Sequence, residues 1–196
     1  MRTQKVLEAS FLLALSLLLY ACLSATQLRD VANTAYPILV TYDQTIDELI
    51  KAGNYYRAYS EIAERNFPTK ETGSKRLVVN LVRLDGRSTI DKVLETQEKM
   101  GLRPATLKEL LTLGESYPEL LGKISVVGFG SYKKYYVTTY WRFGANNNDV
   151  EETKTLERFF PCLVVDLFGR AVVLIQEDLI PSYNPGAFYG CFVTER

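Results

Sequence analysis

The chain has 196 residues, 47% of them apolar and 23% charged, enough to bury one ordinary core and carry a small appendage. Its 23 Lys and Arg cancel its 23 Asp and Glu, so no net field draws it to nucleic acid, and nucleic-acid binding is disfavoured. It contains no histidine, which excludes Ser-His-Asp triads, Cys-His dyads and His-based zinc sites and leaves any catalysis to carboxylates, Lys, Tyr or Cys.

Arg2 and Lys5 precede an apolar run from Phe11 to Ala21, and Cys22 follows at once, the pattern of a secretory signal over residues 1–22. The run is short for a bilayer span, although extension from Val6 to Leu23 keeps a retained anchor open. Leu19-Tyr20-Ala21-Cys22 resembles the lipobox of bacterial lipoproteins, in which the Cys is acylated and becomes the mature N-terminus. Tyr20 departs from that pattern, and cleavage after Ala25 is the alternative. The resemblance implies lipidation of Cys22 and a membrane-anchored or secreted protein outside the cytoplasm. With Cys22 acylated or removed, Cys162 and Cys191 remain as an even pair in an oxidising compartment. A bridge between them closes a loop of about thirty residues and stabilises by roughly 3 to 4 kcal/mol, whereas two buried free thiols satisfy the same spacing.

Residues 23–72 read as a tether and a helical hairpin. Tyr36-Pro37 breaks the tether, Thr45 to Glu48 forms a capping box, Leu49 and Ile50 give an apolar stripe, and Gly53-Asn54 stops the first helix. A second helix is predicted from Tyr55 to Asn66, ended by Pro68. Lys51-Ala52-Gly53-Asn54-Tyr55, with Ala58 and Ala63, resembles the turn of a tetratricopeptide repeat. One copy has no neighbour to stack on, so the hairpin is expected to serve as a spacer.

Lys70 to Lys75 is polar and marks a boundary, and residues 73–196 form the predicted α+β domain. Leu77 to Val82 is apolar on both faces, as a covered central strand is. A helix capped at Ser88 buries Ile90, Val93 and Leu94 and stops at Gly101, and a second helix starts with the capping box Thr106 to Glu109. From Lys123 the period becomes two. Lys123 to Tyr132 is a glycine-bearing strand, and Lys133 to Phe143 alternates between Tyr135, Val137, Thr139, Trp141, Phe143 on one face and Lys134, Tyr136, Thr138, Tyr140, Arg142 on the other. Phe160 to Leu167 and Ala171 to Gln176 make a hairpin around Phe168-Gly169-Arg170, and Phe188 to Thr194 is the last strand.

A lone strand, a helix, the elbow Gly101-Leu102-Arg103-Pro104-Ala105-Thr106, a second helix and a run of strands closing on Tyr189-Gly190-Cys191-Phe192-Val193 resembles the C-type-lectin-like fold, in its bacterial branch of formylglycine-generating and sulfatase-modifying domains. The elbow phrase Gly101 to Leu111 also looks like one found in uncharacterised exported bacterial proteins. The resemblance covers Lys75 to Arg196. It implies a domain that binds a protein or glycan through its later strands and loops. The family's calcium-dependent sugar triplets are missing, and Trp141 is followed by Arg142-Phe143. The paired reactive Cys that hold copper in the enzymes have only Cys162 and Cys191 as counterparts, without matching flanks.

Among candidate sites, Asn146, Asn147, Asn148, Asp149, Glu151 and Glu152 offer oxygen ligands but match no calcium loop, and a solvated turn is the simpler reading. The 13 Tyr of the chain cluster in the later strands and loops, where tyrosine gives rigid amphipathic contact area. Tyr136, Tyr140 and Arg142 on the outward strand face, and Tyr183 and Asn184 in the loop before the last strand, are the expected ligand-binding residues. Asp166, Glu177 and Asp178 have no spacing that implies paired acid-base work. The sequence therefore predicts no catalytic residue, metal or cofactor, and an exported, lipid-anchored, non-enzymatic binding protein for an extracellular protein or glycan. A structural envelope subunit and an enzyme-like member of the formylglycine-generating fold are the alternatives.

Overall fold

The computed structural model describes the backbone of residues 31, 34–84, 88–143, 149–182 and 188–195, and side chains except those of 140–143, 149–151 and 181–182. The chain divides into the units Met1–Thr34 and Ala35–Arg196. Among the described residues no helix is long and apolar enough to cross a membrane. The apolar run ending at Cys22, and with it the lipidation reading, lies outside them.

Among the described residues, nine strands form one mixed sheet, and three helices of seven or more residues pack with it. The elements run β1 (Ala35–Thr41), α1 (Ile46–Ala52), β2 (Arg57–Ala58), β3 (Ser74–Arg83), α2 (Ile90–Lys99), β4 (Arg103–Pro104), α3 (Leu107–Ser116), α4 (Pro118–Leu121), β5 (Ser125–Gly128), β6 (Lys133–Phe143), β7 (Asp149–Asp166), β8 (Gly169–Gln176), α5 (Leu179–Ser182) and β9 (Phe188–Glu195). The strand order is β1-β3-β9-β5-β7-β8-β2, with β4 paired to β9 and β6 to β7. The predicted α+β class holds. The predicted first and last strands of the domain, β3 and β9, lie antiparallel from Leu77 opposite Glu195 to Arg83 opposite Tyr189.

The two faces of the sheet carry different helices. Ile90 of α2 packs into a cluster with Phe129, Phe160, Cys162, Phe188 and Phe192, with Val93 and Leu94 against it. On the other face, Leu110 of α3 lies so close to Gly128 that an added Cβ would meet its Cδ2 at 3.1 Å, and Gly114 comes equally near Leu163. The alternation of strand side chains explains the division, because Cys162 and Leu163 are successive residues and point to opposite faces.

The helical-hairpin expectation is corrected. The capping box at Thr45 forms and α1 follows, with Thr45 N donating to Glu48 at 2.8 Å. The second helix does not form. Asn54 turns the chain at a positive φ of 51°, Tyr55 enters the core, and Arg57–Ala58 pairs in parallel with Ala171 and Val172 of β8. Tertiary pairing overrides the helical preference of Ala58, Glu61 and Ala63. β1 likewise pairs with β3 along its whole length, so 35–67 belongs to the domain's sheet and is no spacer, and the boundary placed at residue 72 moves to Thr34.

The reason lies in α3. Residues Leu107 to Gly114 are all buried, including Lys108 and Glu109, so the helix is enclosed on its polar side as well. The loop after β1 and α1 supply that second cover. Without it a buried Lys and Glu would face water on a helix whose other side already fills the core.

Candidate functional site

Two polar systems and one apolar surface stand out. The first polar system holds the elbow. Glu109, wholly buried, accepts two bonds from Arg103, at 2.7 and 2.9 Å, one from Thr106 N at 2.8 Å, and one from the Tyr42 hydroxyl. Burial alone would raise the Glu109 carboxyl, but these donors outweigh it and hold the group below its usual range, while the carboxylate and burial together push the Tyr42 phenol up. Next to it Lys108 Nζ donates to the carbonyls of Tyr42 at 2.8 Å and Gln44 at 2.6 Å and pairs with Glu64 at 3.1 Å. The elbow is thus more than a helix stop and a helix start: Arg103–Pro104 is itself a strand against Val193 and Phe192, and Gly130 N donates to Ala105 O at 2.8 Å. Every charge in this network has an opposite charge beside it, Arg103 with Glu109 and Lys108 with Glu64, and the network ties α3 to the elbow and to the loop after β1.

The second system centres on Arg158, which binds Glu177 through two 2.5 Å bonds and Asp91 at 2.8 Å, tying β7 to α2 and to the end of β8. Asp166 also has partners: the Tyr56 hydroxyl, Phe168 N at 2.8 Å and, more distantly, Arg57 at 4.0 Å. Its hydrogen bond from Tyr56 is the chief reason its carboxyl is lowered. Asp166 and Glu177 are therefore structural charges. Among the described residues no group of three or more Cys, Asp or Glu is placed to hold a metal.

The disulfide expectation is corrected. Cys162 and Cys191 are both fully buried free thiols. Val127 of β5 stands between them in the sheet, opposite Cys162 on one side and Gly190 on the other. Two strand spacings put the cysteines about 10 Å apart, beyond the roughly 7 Å that a bridge spans, and Cys191, one residue past Gly190, points to the opposite face. The same separation prevents the pair from holding one copper ion. Burial raises both thiols well above the ordinary value.

Of the five expected ligand-binding residues, Tyr136 has a described side chain. Tyr136 is 74% exposed on β6, opposite Leu156 of β7, itself 50% exposed. This pair lies on a two-stranded ribbon, since among the described strands β6 bonds only to β7. Tyr140 and Arg142 share that face by register, opposite Glu152 and Val150, but their side chains lie outside the described residues. Tyr183 and Asn184, and Asn146, Asn147 and Asn148, lie outside them altogether.

A larger apolar surface lies at the β8 margin of the sheet. The β7–β8 turn exposes Leu167 by 99% and Phe168 by 81% at its tip, with Val165, Tyr56 and Tyr59 exposed near it and Leu179 exposed beyond the other end of β8. The guanidinium of Arg57 sits 5.8 Å from the Tyr56 ring centre and 5.6 Å from that of Tyr59, and Phe168 tilts against Tyr56 at 6.1 Å. Beside them runs a groove of about 600 Å³ lined by Val164, Val173, Ile175, Leu179 and Phe188, with Arg57 and Tyr59 at its rim. Single exposed apolar residues are ordinary, but a contiguous set around a groove marks a contact site. Two large apolar residues where a hairpin turn favours Asn, Asp or Gly were a sign legible in the sequence. Tyr56 and Tyr59 had no such sign, being hidden by the helical reading of their segment. Comparison of the chain with protein-family models, with curated proteins and with solved structures finds no match.

Proposed function

We propose that the chain is an exported, membrane-anchored binding protein that engages an extracellular protein or glycan, without catalysis, through the β8 margin. The observation that carries this is the exposed cluster of Leu167, Phe168, Tyr56 and Tyr59 beside an open groove that Tyr59 and Leu179 line. Such surfaces on a monomer are contact sites, and tyrosine with one arginine is the composition that binding hot spots favour. The apolar tip, Leu167 with Phe168, favours a protein partner over a glycan. Export and anchoring rest on the signal pattern and on Cys22; radiolabelled palmitate should enter the protein and vanish in Cys22→Ala, and no incorporation would sink the lipid anchor.

A C-type-lectin-like plan is the finer fold reading. It is supported by the antiparallel pairing of β3 with β9 and by the two helices α2 and α3 that follow β3 in sequence. An experimental structure that superimposes on lectin-like domains over β3, α2, α3 and β9 in one frame bears it out, and failure to do so removes it.

The binding reading is tested on cells that make the protein, with a photo-crosslinking amino acid placed at Phe168 and, as a control, at Met100, which is exposed on the elbow after α2. Crosslinks to a distinct surface protein from position 168 and none from position 100 support the reading. Equal labelling from both positions, or none, refutes it.

A further inference from the structure

The pairing of β2 with β8 stops early. Tyr56 N donates to Arg170 O at 3.0 Å and Tyr59 N to Val172 O at 3.2 Å, so the even-numbered residues of β8 turn their backbone groups away from β7. β2 ends at Ala58, yet β8 continues to Gln176. By the two-residue alternation, Leu174 and Gln176 also direct N–H and C=O outward. Among the described residues no backbone group outside β7 bonds to them. The opposite edge of the sheet is treated differently: β1 carries Pro37, which has no N–H, and its carbonyl accepts from the Tyr117 hydroxyl at 2.8 Å.

We propose that the outer edge of β8 from Val173 to Gln176 takes an extended segment of a protein partner by strand addition, in line with β2 and with apolar side chains at alternate positions entering the adjoining groove. This rests on the binding reading above and names its partner's form. The occupant follows from the chemistry of the edge. Outward donors and acceptors repeating every two residues, about 6.8 Å, match another polypeptide backbone and neither a sugar nor a lipid tail. β2 already occupies the same edge in that manner, so the added segment continues an existing pairing. Val173 and Ile175 line the groove beside the edge, and Arg57, its side chain half exposed, stands where β2 stops and meets an acidic residue of the segment.

The probe is a phage-displayed library of random octapeptides panned on the immobilised full chain in detergent micelles. Enriched peptides are then synthesised with a fluorescent label and titrated by anisotropy. Enrichment of apolar residues at alternate positions is expected. Gln176→Pro, which removes an outward N–H and no ladder bond, should weaken binding at least tenfold, while Gln176→Ala changes it less than twofold. N-methylating the peptide at alternate residues leaves the protein untouched and should also weaken binding at least tenfold, which decides the matter even where Gln176→Pro disturbs folding. Peptides that bind Gln176→Pro as tightly as the native chain, peptides that tolerate N-methylation in both registers, or a library without enrichment overturn strand addition. A concentration-dependent dimer abolished by Gln176→Pro overturns it too, because a second copy then fills the edge. If crosslinks from position 168 persist while these outcomes fail, the binding surface stands and only its mode falls.

Discussion

Replacing Glu109 by Ala tests whether the buried carboxylate fixes the elbow. The substitution removes four hydrogen bonds, two from Arg103 and one each from Thr106 N and the Tyr42 hydroxyl. The Arg103 side chain is 39% exposed and regains water, so its loss is partial. Tyr42 is buried and its hydroxyl is left unpaired, at a cost of about 1 to 3 kcal/mol, and the lost cap at Thr106 adds about 1 kcal/mol. With the charge-assisted pair, the total is about 3 to 5 kcal/mol, the range typical of a buried pair deprived of one partner. At about 2 to 4 °C per kcal/mol, the melting temperature should fall by about 6 to 20 °C. Glu109→Gln keeps the shape and should cost less, and its deficit should depend on pH. Because the folded carboxyl lies below its unfolded value, the stabilisation is complete above about pH 4.3 and is lost as the pH falls through the lowered folded value. The native chain and Glu109→Gln should therefore converge in stability in acid. Urea unfolding followed by circular dichroism at pH 7 and at lower pH reads both effects. A Glu109→Ala variant within about 1 kcal/mol of the native chain would refute the reasoning, as that is the size of a single ordinary hydrogen bond.

Further outcomes follow from the same packing. Tyr55 is buried with an unpartnered hydroxyl beside Gly114, where an added methyl would overlap that hydroxyl and approach Leu163 Cδ1 to 2.8 Å. Gly114→Ala should cost about 1 to 3 kcal/mol, Tyr55→Phe should be neutral or stabilising by about 1 kcal/mol, and the double variant should recover much of the loss in denaturant titrations; additive effects would show that the two groups do not meet. Gly101→Ala, at φ of 75°, should destabilise by about 1 kcal/mol or more although the site is open, and a silent substitution would show that the elbow does not hold this turn. Cys162 and Cys191 should ignore a thiol reagent in the native Cys22→Ala chain and react in denaturant without a reductant; a mass unchanged by alkylation would restore the disulfide.

Much of the fold was legible because local signals and tertiary structure agree where α2, α3, β3 and β9 form. The capping boxes at Thr45 and Thr106 and the stop at Gly101 appear where spacing places them, with the cap of α2 moved by one residue to Thr89. The failures share one cause. Tyr55 to Asn66 carries helix-forming residues, but Gly114 leaves room for the Tyr55 ring and the bare edge of β8 takes Arg57 and Ala58, and neither condition is visible within the segment. The burial of Lys108 and Glu109 depends on Tyr42, Gln44 and Glu64, all more than forty residues away in sequence, and no local signal announces it. The cysteine pair failed on a related point: parity counts thiols, whereas a bridge needs them on one face. Of the expected contact residues only Tyr136 has a described side chain, and the broader surface was missed because its tyrosines fell inside the misread helix.

β9 lies between β3 on one side and β4 and β5 on the other, and every other described strand precedes it in the chain. During synthesis, therefore, the sheet has no centre until its ninth strand emerges; before that, β3 and β5 present bare inner edges to whatever is nearby. The central pairings of the nascent domain therefore cannot form until nearly its whole length has been made. For a chain proposed to leave the cytoplasm this delay is useful, because a polypeptide that closes late is still threadable when it reaches a membrane channel.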